Sequence, residues 1–292
     1  MADHAGRGSD GAPETCKASL DAFGRGRGRL DMTLREFLAG PPSYVRTASQ
    51  GSPWILLPVG FAILAIGQAG PALVIYLLDA MSAQPQGPQP PGLPAPGVDV
   101  GRRSLPQGTS LMGLTLASQA LTLALTVLVA ARIGLSQTLK LDPPAGGWIA
   151  CLWALVAMVP LVAAFNVIAY ALAPGMMVED FRAFRTVVQS GSVWTTGLVL
   201  SIGAPLWEEA FFRGYLLSTL SALSLGFWPA AALASLAWAA LHLEYSAVGF
   251  LEVFLIGVYF SWLLWRTGSL WPALVCHGVY NGALFAFLRL VL

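Results

Sequence analysis

The sequence contains little charge for its length. Of its 292 residues, 11% are Asp, Glu, Lys or Arg, whereas 56% are hydrophobic. A soluble domain of this size carries about 25% charged residues, so the apolar excess is expected to face lipid. The net charge is +1, and no concentrated basic patch indicates nucleic acid as a partner. The sequence therefore predicts a polytopic membrane protein that contacts the lipid bilayer.

Cysteine and histidine are also scarce, with three of each. The cysteines have neither metal-ligand spacing nor the even number of a disulfide framework. Cys151 and Cys276 lie in apolar runs and are predicted to be buried free thiols. His242 and His277 also lie in apolar runs, where a lone histidine is usually a packing residue. The chain lacks H-E-x-x-H, the local signature of zinc proteases.

The first 50 residues lack an apolar core that a signal peptidase could recognise, and they hold seven of the sixteen basic residues. We expect residues 1–50 to form a polar, partly disordered cytoplasmic tail. Within it, Leu30, Leu34 and Phe37 recur at helical spacing. This pattern indicates a short helix on the membrane surface, with a partly ordered tail as the alternative.

Apolar windows of the roughly 20 residues that a membrane-spanning helix needs occur seven times. They lie near 54–81, 111–133, 148–173, 193–221, 228–243, 247–266 and 270–291. Basic residues cluster before the first window and follow the second and the sixth. Seven crossings put these groups on one side, which the positive-inside rule makes cytoplasmic. The expected fold is an all-α, polytopic transmembrane helix bundle of about seven spans.

The stretch WEEAFFRG, residues 207–214, carries three ionisable side chains inside an apolar segment. Charge at bilayer depth costs roughly 2.5 to 3.5 kcal/mol per group, so such residues usually face the bundle interior and mark function. Glu209 and Arg213 are one helical turn apart, with the acid first, as an ion pair prefers. Glu208 projects elsewhere and needs a partner from another helix. A purely structural charge cluster is the alternative.

The two histidines in apolar runs stand where they can approach these acids. If the turn lies near Leu225, Glu208 and His242 are each 17 residues from it. In an antiparallel hairpin they then lie at equal depth and can meet as a general-base pair. His277 and Asn281 share a helix face and can donate to a developing oxyanion, or else hold helices together.

Three motifs in this order resemble a known family. The motifs are E-E-x-x-x-R, aromatic-x-x-x-H and H-x-x-x-N, formed by Glu208, Glu209, Arg213, Trp238, His242, His277 and Asn281. They resemble the CPBP family of CAAX proteases and bacteriocin-processing enzymes, also called the ABI family, which is related to the Ras-converting endopeptidase. The resemblance covers roughly residues 193–290, and the family more often has Phe at the position of Trp238.

The resemblance implies a hydrolase, an intramembrane peptidase of the glutamate type that uses no metal cofactor. It acts on a protein or peptide substrate at the membrane. The resemblance implies that Glu208 is the base that activates water and that His242 is its partner. It implies that His277 and Asn281 stabilise the oxyanion. The supporting residues that it implies are Glu209, Arg213 and Trp238.

The resemblance also divides the chain after the tail. Residues 51–190 are expected to form N-terminal transmembrane helices with a Pro-rich loop at 83–98, and residues 191–292 are expected to form a catalytic core.

The Gly-, Ala- and Pro-rich composition suggests a GC-rich bacterial genome, hence the bacterial inner membrane. Prenylated CAAX termini are the target of eukaryotic relatives, whereas bacterial members act on other chains, including peptide leaders.

The residues themselves leave alternatives open. Glu208, His242 and His277 form a His₂Glu set that zinc accepts with water in the fourth position. Cys276 beside His277 suggests a thiol nucleophile, but neighbours on a helix point about 100° apart. A proton-coupled transporter or a non-catalytic membrane scaffold also tolerates intramembrane acids. Glu252 matches no motif and is predicted to pair with a buried donor such as Tyr259, with a place in the cavity that touches substrate as the alternative.

Overall fold

The computed structural model describes residues 32–45, 51–82, 111–189, 191–223 and 225–290. Within these ranges the chain is helical and contains no strand. The helices before residue 190 are α1 Leu34–Ala39, α2 Pro53–Ser82, α3 Leu111–Ile133, α4 Leu135–Leu139, α5 Ile149–Leu172 and α6 Pro174–Gln189. The Pro-rich loop 83–98, most of the tail and Cys16 lie outside the described residues.

Residues 193–222 form one run that alternates between α-helical and π-helical turns, and we call it the site segment. Its parts are α7 Val193–Leu198, π1 Val199–Gly203, α8 Ala204–Glu208, π2 Glu209–Leu216 and α9 Leu217–Ala222. The helices that follow are α10 Phe227–Ala239 with a 3₁₀ turn Ala240–His242, α11 Ala247–Thr267 and α12 Trp271–Leu290. Single π turns are rare and occur frequently at functional sites.

The apolar windows correspond closely to helices. Five described helices are long and apolar enough to cross a membrane: Pro53–Leu77, Leu111–Ile133, Ile149–Leu172, Ala247–Thr267 and Trp271–Leu290. The two remaining windows correspond to the site segment and to the shorter apolar stretch Phe227–His242. The predicted all-α polytopic bundle is confirmed.

The site segment passes from the outside of the bundle to its interior. Its first half exposes a stripe of apolar side chains at four-residue spacing, formed by Trp194, Leu198, Ile202 and Leu206. From Trp207 to Ser221, every residue except Leu216 is buried. The motif acids therefore occupy the most enclosed stretch of the segment.

The short helix α1 is present, as the spacing of Leu34 and Phe37 predicts. Thr33 and Glu36 cap its first turn reciprocally: the Glu36 backbone N–H donates to Thr33 Oγ1 at 3.2 Å, and the Thr33 backbone N–H donates to Glu36 Oε2 at 2.8 Å. Phe37 is 1% exposed and packs edge-on against Trp262 at 5.5 Å. The helix thus anchors into the bundle rather than lying free on the membrane surface.

Arg266 ties α1 to the end of α11. Its Nε donates to the Phe37 carbonyl at 2.7 Å, and its Nη2 donates to the Glu36 carbonyl at 2.8 Å. Its Nη1 donates to the carbonyls of Gly40 and Pro41. One guanidinium therefore satisfies carbonyls at and beyond the carboxyl end of α1, which would otherwise lack partners.

The segments grouped on one side by the positive-inside rule meet at one end of the bundle. Lys140 Nζ donates to the Val45 carbonyl at 2.9 Å, and the Tyr44 hydroxyl lies 3.2 Å from Ser221 Oγ. Tyr44 also packs on Phe227 at 4.7 Å between ring centres. Burial lowers the pKa of Lys140 below its ordinary value. The basic residues that follow the second and sixth windows thus share an end with the described part of the tail.

The opposite end is organised by α6, an amphipathic helix that is too polar for the membrane windows. Asp180 on α6 accepts two hydrogen bonds from Ser246, at 2.7 Å from its backbone N–H and at 2.6 Å from its hydroxyl. Ser246 also caps α11, because its Oγ accepts from the Gly249 N–H at 3.3 Å. This contact fixes the loop that follows His242.

Candidate active site

Glu209 and Arg213 form the ion pair that their spacing predicts. Arg213 Nη1 lies 3.1 Å from Glu209 Oε1, and both side chains are completely buried. The guanidinium carbon lies 4.2 Å from the centre of the Trp238 ring and 5.5 Å from that of Phe260. Aromatic faces attract a desolvated cation, so the two rings stabilise the arginine where water does not reach it.

His277 lies between the two motif acids. Its Nδ1 donates to Glu209 Oε1 at 2.8 Å, and its Nε2 lies 3.9 Å from Glu208 Oε2. A carboxylate only accepts hydrogen bonds, so the network assigns the proton to Nδ1 when the ring is neutral. Glu209 therefore orients the imidazole and turns Nε2 toward Glu208.

Glu208 is held by a tryptophan. Its Oε2 accepts a hydrogen bond of 2.5 Å from Trp238 Nε1, and the residue is 8% exposed. The 3.9 Å to His277 Nε2 is too long for a direct hydrogen bond. A gap of this size is one that a water molecule can bridge. The carboxylate is thus fixed on one side and faces an imidazole on the other.

His242 also packs against Trp238. Its Nδ1 donates to the Trp238 carbonyl at 3.1 Å, and the two rings are 5.5 Å apart. The direct contact with Glu208 that equal depth predicts is not formed among the described side chains. The physical reason is Trp238, one turn earlier, whose indole takes the Glu208 oxygen. With Nδ1 bonded to the carbonyl, Nε2 is the ring nitrogen that is left for another partner.

Tyr245 packs against His242 at 5.6 Å between ring centres. Burial, followed by the negative charges of Glu244 and Glu208, raises the pKa of Tyr245 above its ordinary value. The phenol therefore stays protonated at neutral pH and remains a hydrogen-bond donor. The sequence motifs gave no indication of this residue.

Asn281 lies one turn after His277 on α12, where the motif places it. Its Nδ2 donates to the Leu200 carbonyl in π1 at 3.0 Å. The neighbouring Val199 carbonyl accepts from Gln119 Nε2 at 3.2 Å. One of the two Asn281 donors is therefore used to hold helices together, and one remains for another acceptor.

Glu252 has a hydroxyl donor, but the donor is the half-buried Tyr280 and not Tyr259, whose hydroxyl donates to the Ala154 carbonyl at 2.5 Å. The Tyr280 hydroxyl donates to Glu252 Oε1 at 3.0 Å, and Asn166 Nδ2 donates to the same oxygen at 3.2 Å. Three helices, α5, α11 and α12, meet at this acid. No local spacing in the sequence connects the three residues.

The zinc alternative requires Glu208, His242 and His277 to converge on one point. Across the described ranges, no group of three or more His, Cys, Asp or Glu side chains is placed to hold a metal ion. His277 Nε2 lies 3.9 Å from Glu208 Oε2, whereas His242 is hydrogen-bonded to the Trp238 carbonyl. The predicted burial of Cys151 and Cys276 as free thiols is confirmed.

The comparison with protein families concerns this part of the chain. Residues 190–283 match the family described as type II CAAX prenyl endopeptidase Rce1-like. Neither the search of curated proteins nor the search of solved structures found a significant match. The matched range contains all three motifs and runs from the site segment into α12. It confirms the resemblance and the predicted class of enzyme, a CAAX-protease-like membrane hydrolase. Over residues 190–283, this chain is thus similar to the Rce1-like CAAX endopeptidases.

Proposed function

We propose that this protein is an intramembrane endopeptidase that hydrolyses a peptide bond of a membrane-associated protein or peptide. The observation that carries the proposal is the placement of Glu208 and His277, 3.9 Å apart, in the family-matched interior of the bundle. A carboxylate and an imidazole separated in this way are able to hold a water molecule and accept its proton. Burial of both side chains keeps the reaction away from bulk water.

In the proposed reaction, Glu208 accepts a proton from water while the water oxygen attacks the carbonyl carbon of the scissile bond. The carboxylic acid so formed then returns the proton to the amine as the C–N bond breaks. Glu208 ends in its starting form, and one water is consumed for each bond cleaved. His242, which packs against Trp238, is the proposed partner of Glu208 in this step.

The oxyanion of the tetrahedral intermediate requires donors. Asn281 contributes the N–H that Leu200 does not use. The second donor is assigned to His277, whose Nε2 lies 3.9 Å from Glu208 Oε2 and donates when it carries a proton. In soluble proteases, one such donor contributes about 3 to 4 kcal/mol to transition-state stabilisation.

Glu209 and Arg213 have a supporting role in this scheme. Glu209 Oε1 is shared between Arg213 Nη1 and His277 Nδ1. The arginine balances the charge of the acid, and the acid fixes the tautomer and direction of the imidazole. This division leaves Glu208 as the carboxylate that is free to exchange a proton.

The proposed location is the bacterial inner membrane, with the end that carries Arg266 and Lys140 in the cytoplasm. The meeting of the basic segments at one end of the bundle supports this orientation. A cysteine introduced at exposed Pro143 should react with a membrane-impermeant reagent only from the cytoplasmic side. Labelling of intact cells from outside would reverse the orientation.

The test of the proposed function is Glu208→Gln, with Glu179→Gln on an exposed part of α6 as the matched control. General-base catalysis contributes about 10²- to 10⁴-fold, so Glu208→Gln should lower cleavage by at least about 100-fold. Membrane proteomes of cells with wild-type protein and the control should contain shortened chains that are missing with Glu208→Gln.

Size-exclusion profiles and unfolding midpoints show whether each variant is folded. A folded Glu208→Gln protein that cleaves at the wild-type rate contradicts the proposed function. So does a proteome in which the wild-type protein shortens no chain.

A further inference from the structure

We infer that Trp238 is a positioning residue whose indole N–H holds Glu208 for catalysis, an inference that rests on the proposed role of Glu208. An indole carries an N–H donor, which a phenyl ring lacks. The inference assigns that donor to the geometry of the catalytic carboxylate.

The hydrogen bond from Trp238 is short and enclosed. Nε1 lies 2.5 Å from Glu208 Oε2, and Trp238 is 4% exposed. It is the hydrogen bond that Glu208 accepts within the described part of the chain. Donors to an ionised acceptor form stronger bonds than neutral pairs, especially where few waters compete.

The bond selects one arrangement of a flexible side chain. Oε2, held by the indole, lies 3.9 Å from His277 Nε2 and retains a second lone pair. The indole therefore holds the carboxylate beside the gap in which the attacking water is proposed to bind. Without the indole donor, a glutamate with three rotatable bonds samples other rotamers.

Contacts on several sides hold Trp238 in place. The Arg213 guanidinium lies 4.2 Å from the centre of its ring, and His277 meets it edge-on at 5.4 Å between ring centres. Its backbone carbonyl accepts the hydrogen bond from His242. The Trp238 side chain therefore contacts residues of all three motifs. Because it packs on Arg213 and donates to Glu208, it couples the position of the Glu208 carboxylate to that of the Glu209–Arg213 pair.

A packing role alone makes a different prediction, because any ring of the same shape would then serve equally well. The discriminating change is Trp238→3-benzothienylalanine, introduced by nonsense suppression, which replaces the N–H by sulfur and keeps the bicyclic shape. The matched control is Trp271→3-benzothienylalanine, which removes an indole donor to the Leu141 carbonyl at 2.9 Å. Trp238→Phe is a third variant made of ordinary amino acids.

The assay measures kcat and KM on a synthetic peptide that spans a cleavage site mapped in the proteome comparison. Loss of a hydrogen bond to a charged group predicts a fall in kcat of about tenfold or more for the Trp238 analogue. KM should stay within about twofold, because the bond does not touch the substrate. Trp238→Phe should change kcat in the same direction, and the Trp271 analogue should retain the wild-type kcat.

An unchanged kcat for the Trp238 analogue overturns the inference, as does a rise in KM at constant kcat. An equal loss of kcat at Trp271 also overturns it, since the effect is then general to lost indole donors. Glu208→Gln, assayed beside them, separates the two claims. If Glu208→Gln is inactive while the analogue is fully active, the positioning role alone fails; if Glu208→Gln is active, the proposed function fails.

Discussion

Replacing Arg213 by Met tests how far the bundle depends on its buried ion pair. Arg213 and Glu209 are both completely buried, with 3.1 Å between Nη1 and Oε1. Met retains a long, flexible, helix-compatible side chain but removes the charge. Glu209 would keep only the bond from His277 Nδ1, and its Oε2 has no hydrogen-bond partner even in the intact pair.

The magnitude follows from two lost interactions and one gain. Removing one partner of a buried pair costs about 3 to 5 kcal/mol. Loss of the cation above Trp238 adds about 2 kcal/mol when the site is desolvated. Contacts between the methionine sulfur and the rings recover about 1 kcal/mol. A net loss of about 4 to 6 kcal/mol in the free energy of unfolding is expected. Arg213→Lys keeps the charge without the planar stacking, so its expected loss is about 1 to 2 kcal/mol.

The assay is equilibrium unfolding in mixed micelles with increasing sodium dodecyl sulfate, followed by circular dichroism. Arg182→Met, on an exposed position of α6, is the control and should change stability by less than about 0.5 kcal/mol. The double variant Glu209→Gln/Arg213→Met leaves no unpaired charge. It should therefore be more stable than Arg213→Met alone.

The reasoning is refuted if Arg213→Met loses less than about 1 kcal/mol, because the pair would then behave like an exposed one. It is also refuted if the double variant is less stable than the single one. That result would mean that the unpaired charge of Glu209 is not what destabilises Arg213→Met.

Three further predictions concern the clamp at α1, helix packing and metal. Arg266→Met removes the donors to four carbonyls, so amide hydrogen exchange in residues 33–45 should accelerate; unchanged exchange would show that α1 docks without the guanidinium. Gly67→Ala places a Cβ in overlap with the Thr122 side chain and should cost about 1 to 3 kcal/mol, whereas Gly70→Ala, with its nearest atom at 3.6 Å, should be tolerated; equal unfolding midpoints would contradict this. A strong chelator should leave wild-type cleavage unchanged, and activity that is lost on chelation and restored by zinc would favour the metal alternative.

Hydropathy predicts the helices of this protein well because the bilayer requires long apolar stretches with internally bonded backbones. The window 111–133 has the same bounds as α3, and a turn falls near Leu225 as assumed in the depth count. The hydropathy windows do not include helix α6, because it is partly polar. Its Asp180 bonds to Ser246 in the loop 243–246. Length and apolarity carry no information about a helix of that kind.

In the site, the sequence predicts contacts within one turn and fails for contacts across the bundle. Glu209 and Arg213 pair because their spacing is local. The Glu208 bond to Trp238 spans 30 positions and the Glu209 bond to His277 spans 68, so no periodicity reports them. Counting depth assumes a straight α-helix with 1.5 Å per residue, an assumption that the π turns before and after Glu208 break.

Two backbone carbonyls of π1 accept hydrogen bonds from side-chain amides, and these bonds restrict the position of the site segment in the bundle. Gln119 on α3 and Asn281 on α12 reach the segment from two different helices. If residues 199–203 rotated toward lipid or slid by one residue, these amides would lose their acceptors in hydrocarbon, which costs several kcal/mol for each unsatisfied group. The amides thereby set both the rotation and the axial register of the segment, and Glu208 and Glu209, one to two turns further on, take their direction into the bundle from that setting.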